Sequence, residues 1–321
     1  MATADQLKAL IKSHFEQDAE RFVTLAFQVA AHEARQGHSS LARDIKSIIE
    51  RSKESSLRVI PFKKDLSELV IAESTNNRLA DLIIEKPVKQ KIERILKEYR
   101  EQEKLKKHGL NHRRKILIAG PPGTGKTMTA SIIAAELHLP FYTIQMDKLV
   151  TKFMGETSSK LRQIFDTIKE HKGVYLFDEF DAIGAERTND NEVGEMRRVL
   201  NSFLQFIEQD KSDSFVISAT NNPASLDQAL FRRFDDVLHY KLPSHEETGR
   251  LIENQLGSFK GDFKVSVLTK EINGLSHSEI TLACQDAIKE SILSDKTKVT
   301  KTLLLSCLRD RLSAYGKKSK E

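Results

Sequence analysis

No apolar run in this chain approaches the roughly 18 residues that a helix needs to cross a bilayer. No secretory leader is expected, because the opening Met1-Ala-Thr-Ala-Asp-Gln-Leu-Lys8 has no continuous hydrophobic stretch. Cysteine is scarce: Cys284 and Cys307 are the two present, and no C-x-x-C pair suggests a redox or metal site. Both read as small buried side chains in a reducing cytoplasm. His32-Glu33 and His245-Glu246 lack a second histidine four residues after the first, which removes the zinc-protease signature. A G-x-S-x-G elbow is missing, as is a cysteine nucleophile in a recognisable setting. A peptidase within this chain is therefore not expected. Internal repeats are lacking, and low complexity is confined to the tail.

Charge of one sign is also in short supply. The formal net charge is +5, and much of the excess sits in Lys104-Leu-Lys-Lys-His108, Arg113-Arg-Lys115 and the tail Lys317-Lys-Ser-Lys320. Aromatic residues do not interleave these charges, so solvated helix ends are expected rather than a nucleic-acid surface. What is present, 39% hydrophobic residues in 321, suffices for ordinary cores in about two domains.

The most informative stretch is Lys115-Ile-Leu-Ile-Ala-Gly120-Pro-Pro-Gly-Thr-Gly-Lys-Thr127 and the run after it. Ile116 to Ala119 read as a buried strand; Ala130, Ile133, Ala134 and Leu137 repeat at helical spacing. The turn between them matches G-x-x-x-x-G-K-[ST] in the context that motif requires, strand before and helix after. Gly120, Gly123 and Gly125 let the backbone bring its N–H groups up to phosphate oxygens. The helix starting near Lys126 turns its positive end toward the same anion. Lys126 can reach the outer phosphates and the Thr127 hydroxyl can ligate Mg²⁺. Pro121, Pro122, Gly123, Thr124, Gly125, Lys126, Thr127 and Met128, with Asp178, are the expected cofactor-binding residues; Thr127 and Asp178 are the expected Mg²⁺ ligands.

In chain order, residues 1–54 read as three short amphipathic helices, striped by Leu7, Leu10, Ile11 and Phe15, by Phe22, Leu25, Ala26 and Val29, and by Leu41, Ile45, Ile48 and Ile49. A docking module and a plain packing or oligomerisation element are equally open readings. Residues 55–84 read as a linker with some extended segments. Residues 85–242 alternate strands and helices, which implies a parallel sheet covered on both faces, with ligands at the carboxyl ends of its strands. Residues 243–313 turn all-helical, and 314–321 form a basic tail. The expected fold class is α/β: a parallel-sheet, phosphate-loop core with a C-terminal helical lid and a small N-terminal helical module.

Val174-Tyr-Leu-Phe177 delivers two carboxylates, Asp178 and Glu179, to a strand end. An apolar strand ending so is costly unless something cationic or catalytic stands there. Neighbouring residues on a strand point to opposite sides. Asp178 is therefore expected at the magnesium and Glu179 at the attacking water.

Taken together, Gly120-Pro-Pro-Gly-Thr-Gly-Lys-Thr127 and Asp178-Glu-Phe-Asp181 resemble the AAA+ ATPases, specifically the AAA clade of protein remodellers, over about residues 85–312. The resemblance implies a Mg²⁺-dependent ATPase acting as a homo-oligomeric ring, a hexamer, on a protein client. A separate protease or effector subunit is a further partner it allows, whereas a membrane or nucleic acid is not expected. Ala219-Thr-Asn221 is similar to the family's sensor segment, giving Asn221 the hydrolytic water, although Asn-Asn-Pro also suits a turn. Leu226-Asp-Gln-Ala-Leu-Phe-Arg232-Arg233-Phe-Asp235 resembles the arginine-finger segment, with the two arginines adjacent instead of separated. One of Arg232 and Arg233 would be a finger and the other a structural ion pair, unranked. Lys152-Phe153-Met154-Gly155-Glu156 resembles the pore loop that grips an unfolded polypeptide. Gly274-Leu-Ser-His-Ser278 resembles the lid segment near adenine, with His277 and Ser278 replacing the usual small residues. No arginine opens the helix after Glu279, as expected of this clade. Two other readings stay open, a nucleotide-gated regulator of a partner enzyme and, less favoured, a nucleic-acid remodeller.

Overall fold

The computed structural model describes residues 8–10, 12–13, 19–55, 66, 68–75, 77–152, 156–181, 190–226, 228–269 and 272–315. The chain divides into two compact units, Met1–Val59 and Ile60–Glu321. In the first, α1 (Ala19–Arg35) and α2 (Ser39–Ser55) form a helical hairpin. Gly37 turns the chain in the left-handed region (φ 88°), and the buried Glu33 carboxylate meets His38 Nδ1 at 2.7 Å across that turn. Ala26, Val29 and Ala30 are the buried face of α1. The stripe of Leu7, Ile11 and Phe15 lies outside the described residues.

The second unit opens with β1 (Val70–Glu73), then α3 (Lys86–Arg100), α4 (Gln102–Lys107), β2 (Lys115–Ala119), α5 (Lys126–Leu137), β3 (Phe141–Gln145), α6 (Met146–Lys152), α7 (Thr157–Glu170), β4 (Val174–Asp178), α8 (Asp190–Gln209), β5 (Phe215–Thr220), the short α9 (Gln228–Phe231) and β6 (Asp236–His239). Six strands make one sheet in the order β1-β3-β4-β5-β2-β6, parallel except for β1. That antiparallel edge strand comes from the stretch expected as a linker. It pairs Val70 with Ile144 and buries Leu66, Leu69 and Val70 in the core, because Leu66-x-x-Leu69-Val70 supplies enough apolar surface to join the sheet.

The central strands are apolar on both faces, as burial between two helical layers demands. One face, with Ile116, Ile118, Leu176 and Ile217, packs against α3 and α5 through Ile92, Ile95, Ile132 and Ile133. The other, with Leu117, Tyr175, Phe177 and Val216, packs against α7 and α8 through Leu161, Ile164, Phe165, Phe203 and Ile207. Phe203 is the hub of an aromatic cluster, its ring centroid 4.6 Å from Phe180, 5.1 Å from Phe177 and 5.7 Å from Phe165.

Beyond β6 the chain forms a helical bundle, α10 (His245–Leu256), α11 (Val265–Leu268), α12 (His277–Leu293) and α13 (Lys301–Tyr315). Capping boxes at Ser244/Glu247 and Ser276/Glu279 start α10 and α12. Leu251, Ile252, Ile280, Ala283, Cys284, Leu304 and Leu308 form its core. Cys284 is buried and free, and burial pushes its thiol up to about 12, so it is an inert packing group.

Truncating the hub of the aromatic cluster should leave a cavity that the surrounding rings cannot close. Phe203→Ala is expected to cost about 3–5 kcal/mol, read as a lower urea midpoint with an unchanged slope.

Candidate functional site

Strands β2, β4, β5 and β6 end along one edge of the sheet, and Lys126, Thr127, Asp178, Glu179 and Asn221 lie there. β2 delivers the loop 120–125. Gly120 runs so close to β6 that a Cβ on it would meet the Tyr240 carbonyl oxygen at 2.5 Å. Gly123 and Gly125 take left-handed φ angles of 71° and 95°, and Gly125 caps α5, so the loop's curvature rests on residues without side chains. Thr124 Oγ1 donates to Pro121 O at 2.7 Å, and Thr129 Oγ1 donates to Gly125 O at 3.0 Å. Pro122 is exposed, and Met128 packs partly buried against the α3–α5 side of the core.

Lys126 folds its side chain back under this loop. Its ammonium donates to Gly120 O at 2.9 Å, Pro121 O at 2.8 Å and Asn221 Oδ1 at 2.7 Å, three acceptors for three N–H bonds. Only 7% of Lys126 is exposed. Burial lowers its pKa, while Asp178 and Asp181 pull in the opposite direction. A buried cation beside loop amides is a seat for an oxyanion.

Thr127, one residue on, is exposed, and its hydroxyl donates to Asp178 Oδ2 at 2.8 Å. A hydroxyl and a carboxylate so placed offer hard oxygens on the side of the site where Lys126 offers charge. Among the described residues no cluster of three or more His, Cys, Asp or Glu could hold a metal. One hydroxyl and one carboxylate suit an ion that keeps waters and takes further oxygens from a phosphate, which is the habit of Mg²⁺.

Glu179 reaches its position by a different route from strand alternation. β4 stops at Asp178, and Glu179 adopts φ 51°, a left-handed conformation that glutamate rarely takes. Its N–H donates to Asp178 Oδ1 at 2.9 Å, and the next N–H, of buried Phe180, donates to Ala219 O at 2.9 Å. The chain thus turns out of the sheet and leaves Glu179 exposed. Asn221, also exposed, follows β5; its N–H donates to Asp181 Oδ1 at 3.2 Å while its side chain accepts from Lys126.

The two arginines have different surroundings. Arg233 Nη2 lies 3.3 Å from Glu208 Oε2 on α8. Arg232 is exposed and makes no ion pair among the described residues. Phe153, Met154 and Gly155 lie outside the described residues.

Sequence reasoning passed over Tyr240, whose carbonyl backs Gly120 and whose buried hydroxyl sits 2.5 Å from Thr129 Oγ1. Nothing local in Leu238-His-Tyr-Lys241 marks it. Asp181 was seen only as part of Asp178-Glu-Phe-Asp181, without its hydrogen bond to Asn221.

Comparison with known proteins gives the family. The model of the ATPase family associated with various cellular activities (AAA) matches residues 116–242. The AAA family ATPase y4kL of Sinorhizobium fredii is 31% identical over 317 residues, spanning 97% of this chain and 96% of that protein. The proteasome-activating nucleotidase of Methanopyrus kandleri is 32% identical over 277 residues, 82% of this chain and 62% of that longer protein. The crystal structure of the FIGL-1 AAA domain shares the fold, with a TM-score of 0.62 at 22% identity over 80% of this chain and 95% of that one. This chain belongs to the AAA family of ATPases and is an ATP-hydrolysing enzyme.

Proposed function

We propose that this ATPase uses Mg²⁺, assembles into a ring through cross-subunit arginine contacts, and spends hydrolysis on remodelling a protein client. The observation that carries the nucleotide chemistry is the convergence of Lys126, Thr127, Asp178 and Asn221 within hydrogen-bonding distance at one sheet edge. The loop amides from Gly123 to Thr127 cradle the phosphates, and Lys126 exchanges its internal acceptors for the outer phosphate oxygens. Thr127 and Asp178 would hold Mg²⁺, which when bound would supply charge neutralisation at the phosphates. Glu179 orients and polarises the attacking water, and Asn221 fixes that water against the γ-phosphate.

For the finger we choose Arg232. Arg233 has a carboxylate partner within its own chain, whereas Arg232 is exposed and carries an uncommitted guanidinium that a neighbouring subunit's site can use. Action on proteins draws support from the proteasome-activating nucleotidase among the relatives. Phe153, Met154 and Gly155 are proposed as the client-gripping loop of the ring. No helix among the described residues is long and apolar enough to cross a membrane, in keeping with a cytoplasmic machine.

Two experiments test this reading. Glu179→Gln should keep ATP binding and lower turnover by roughly a hundredfold or more; a variant that turns over at the wild-type rate would remove Glu179 from the mechanism. Arg232→Ala should cut kcat about a thousandfold with the Kd for ATP unchanged, and Arg233→Ala should do much less. The assignment fails if the two variants exchange these phenotypes, or if Arg232→Ala loses ATP binding instead of turnover.

A further inference from the structure

The start of α12 is fastened to the phosphate loop. Ser278 N–H donates to Gly123 O at 3.0 Å, and Ser276 is packed so closely that a Cβ on Gly123 would meet its Oγ at 2.5 Å. Between these two serines, His277 turns into a cavity of about 10 Å³, room for a single water. Ile84, Glu85 and Val88 line it from the start of α3, His239, Tyr240 and Lys241 from the end of β6, and Glu247 from α10. The imidazole thus sits in the joint between the helical bundle and the sheet.

Both ring nitrogens of His277 are buried and neither closes a hydrogen bond of ordinary geometry. Burial lowers the ring's pKa; the Glu247 carboxylate and the approaching Ile83 backbone offset that only in part. The other charged groups around the cavity are already engaged. Glu247 Oε2 accepts Ser244 N–H at 2.8 Å in the capping box of α10, and Glu85 is paired with Lys241 at 3.2 Å. His239 and Lys241 add no negative charge. A proton on the ring therefore finds no free carboxylate: it must either pull Glu247 from the α10 cap or take the imidazole out to water.

We propose that His277 is a positioning residue that seats the bundle on the phosphate loop as a neutral ring, and that on protonation it leaves its cavity and releases Ser278 from Gly123. This rests on the loop being the nucleotide site, and it adds acid sensitivity to that site. The sign follows from linkage. A histidine whose pKa is depressed in the closed joint binds protons better when solvated, so the closed joint is favoured above the ordinary value of about 6.5 and loses ground as pH falls below it.

The test uses the full chain in two measurements. In the first, Kd for Mg-ATP is followed from pH 7.5 to 5.5 in wild type and in His277→Gln, whose amide is neutral throughout. Wild type is expected to weaken about tenfold and the variant to stay within about twofold over the same range. In the second, hydrogen exchange of the 272–282 segment is followed in the nucleotide-free chain, corrected for the intrinsic pH dependence of exchange. Protection should fall on acidification in wild type and hold steady in the variant. Should His277→Gln fail to give the wild-type circular dichroism spectrum, His277→Asn takes its place. Parallel pH profiles in wild type and variant, or flat profiles in both, overturn the proposal. Failure of wild type to bind ATP at pH 7.5 would instead strike the nucleotide-site reading, while the exchange measurement would still decide whether His277 holds the joint.

Discussion

A buried ammonium holds this site together. Lys126 carries its charge under the phosphate loop and satisfies it with two carbonyls of that loop and the side chain of Asn221 at the end of the neighbouring strand. Unpaired, such a cation would be expensive; paired, it ties the loop after β2 to the segment after β5. The acceptors are all neutral dipoles, with the nearby carboxylates of Asp178 and Asp181 supplying the long-range attraction that partly offsets burial. In the proposed mechanism an incoming phosphate oxygen competes with dipoles for a full positive charge, and a charge-assisted bond of that kind is the stronger. The same exchange would free the Asn221 amide, making the arrival of the anion and the release of Asn221 one event at a single nitrogen.

What could be read from the chain without its structure was whatever is local. The loop 120–127 carries its geometry in glycines at fixed spacing, and Val174–Asp178 announces itself as an apolar run ending in acid. The alternation of such runs with helical stripes gave the α/β class. The route by which Glu179 is displayed was not legible, because one left-handed residue overrides the strand period and no residue type marks it. Nor was which of Arg232 and Arg233 holds an ion pair in its own chain, which depends on Glu208, a helix away. The place of β1 in the sheet was illegible for a related reason. An extended segment of four residues with one charged end reads as part of a linker until β3 is placed beside it. Long-range pairing decides each of these, and spacing along one segment does not contain it.

The bundle beyond β6 is more than a cover. Its contact with the loop is made at the first turn of α12, where Ser276 caps the helix, Ser278 bonds the loop backbone and His277 is wedged between them. The cap fixes the helix, the helix fixes the amide of Ser278, and that amide reaches Gly123 O. Three residues therefore tie the position of a whole bundle to the turn proposed to face the phosphates. Gly123 tolerates the approach because it has no side chain, so its glycine serves two demands, the left-handed turn and the close neighbour.

The strain at Glu179 is held in place by the core. A left-handed glutamate costs on the order of 1–3 kcal/mol and persists only where the surroundings leave the backbone no alternative. Here the restraints come from both sides. Asp178 Oδ1 holds the Glu179 amide, and Ala219 O holds the amide of Phe180. Phe180 is fully buried against Phe203, so relaxing the turn would drag an aromatic ring out of the α7–α8 layer. Unseating that ring would forfeit roughly the several kcal/mol that a buried phenylalanine contributes, more than the strain relieved. The conformation that exposes an acid at the sheet edge is therefore maintained by hydrophobic packing on the far side of the sheet from Lys126. If Glu179 acts as proposed, packing and catalysis meet in two consecutive residues, the exposed acid and the buried ring that anchors it.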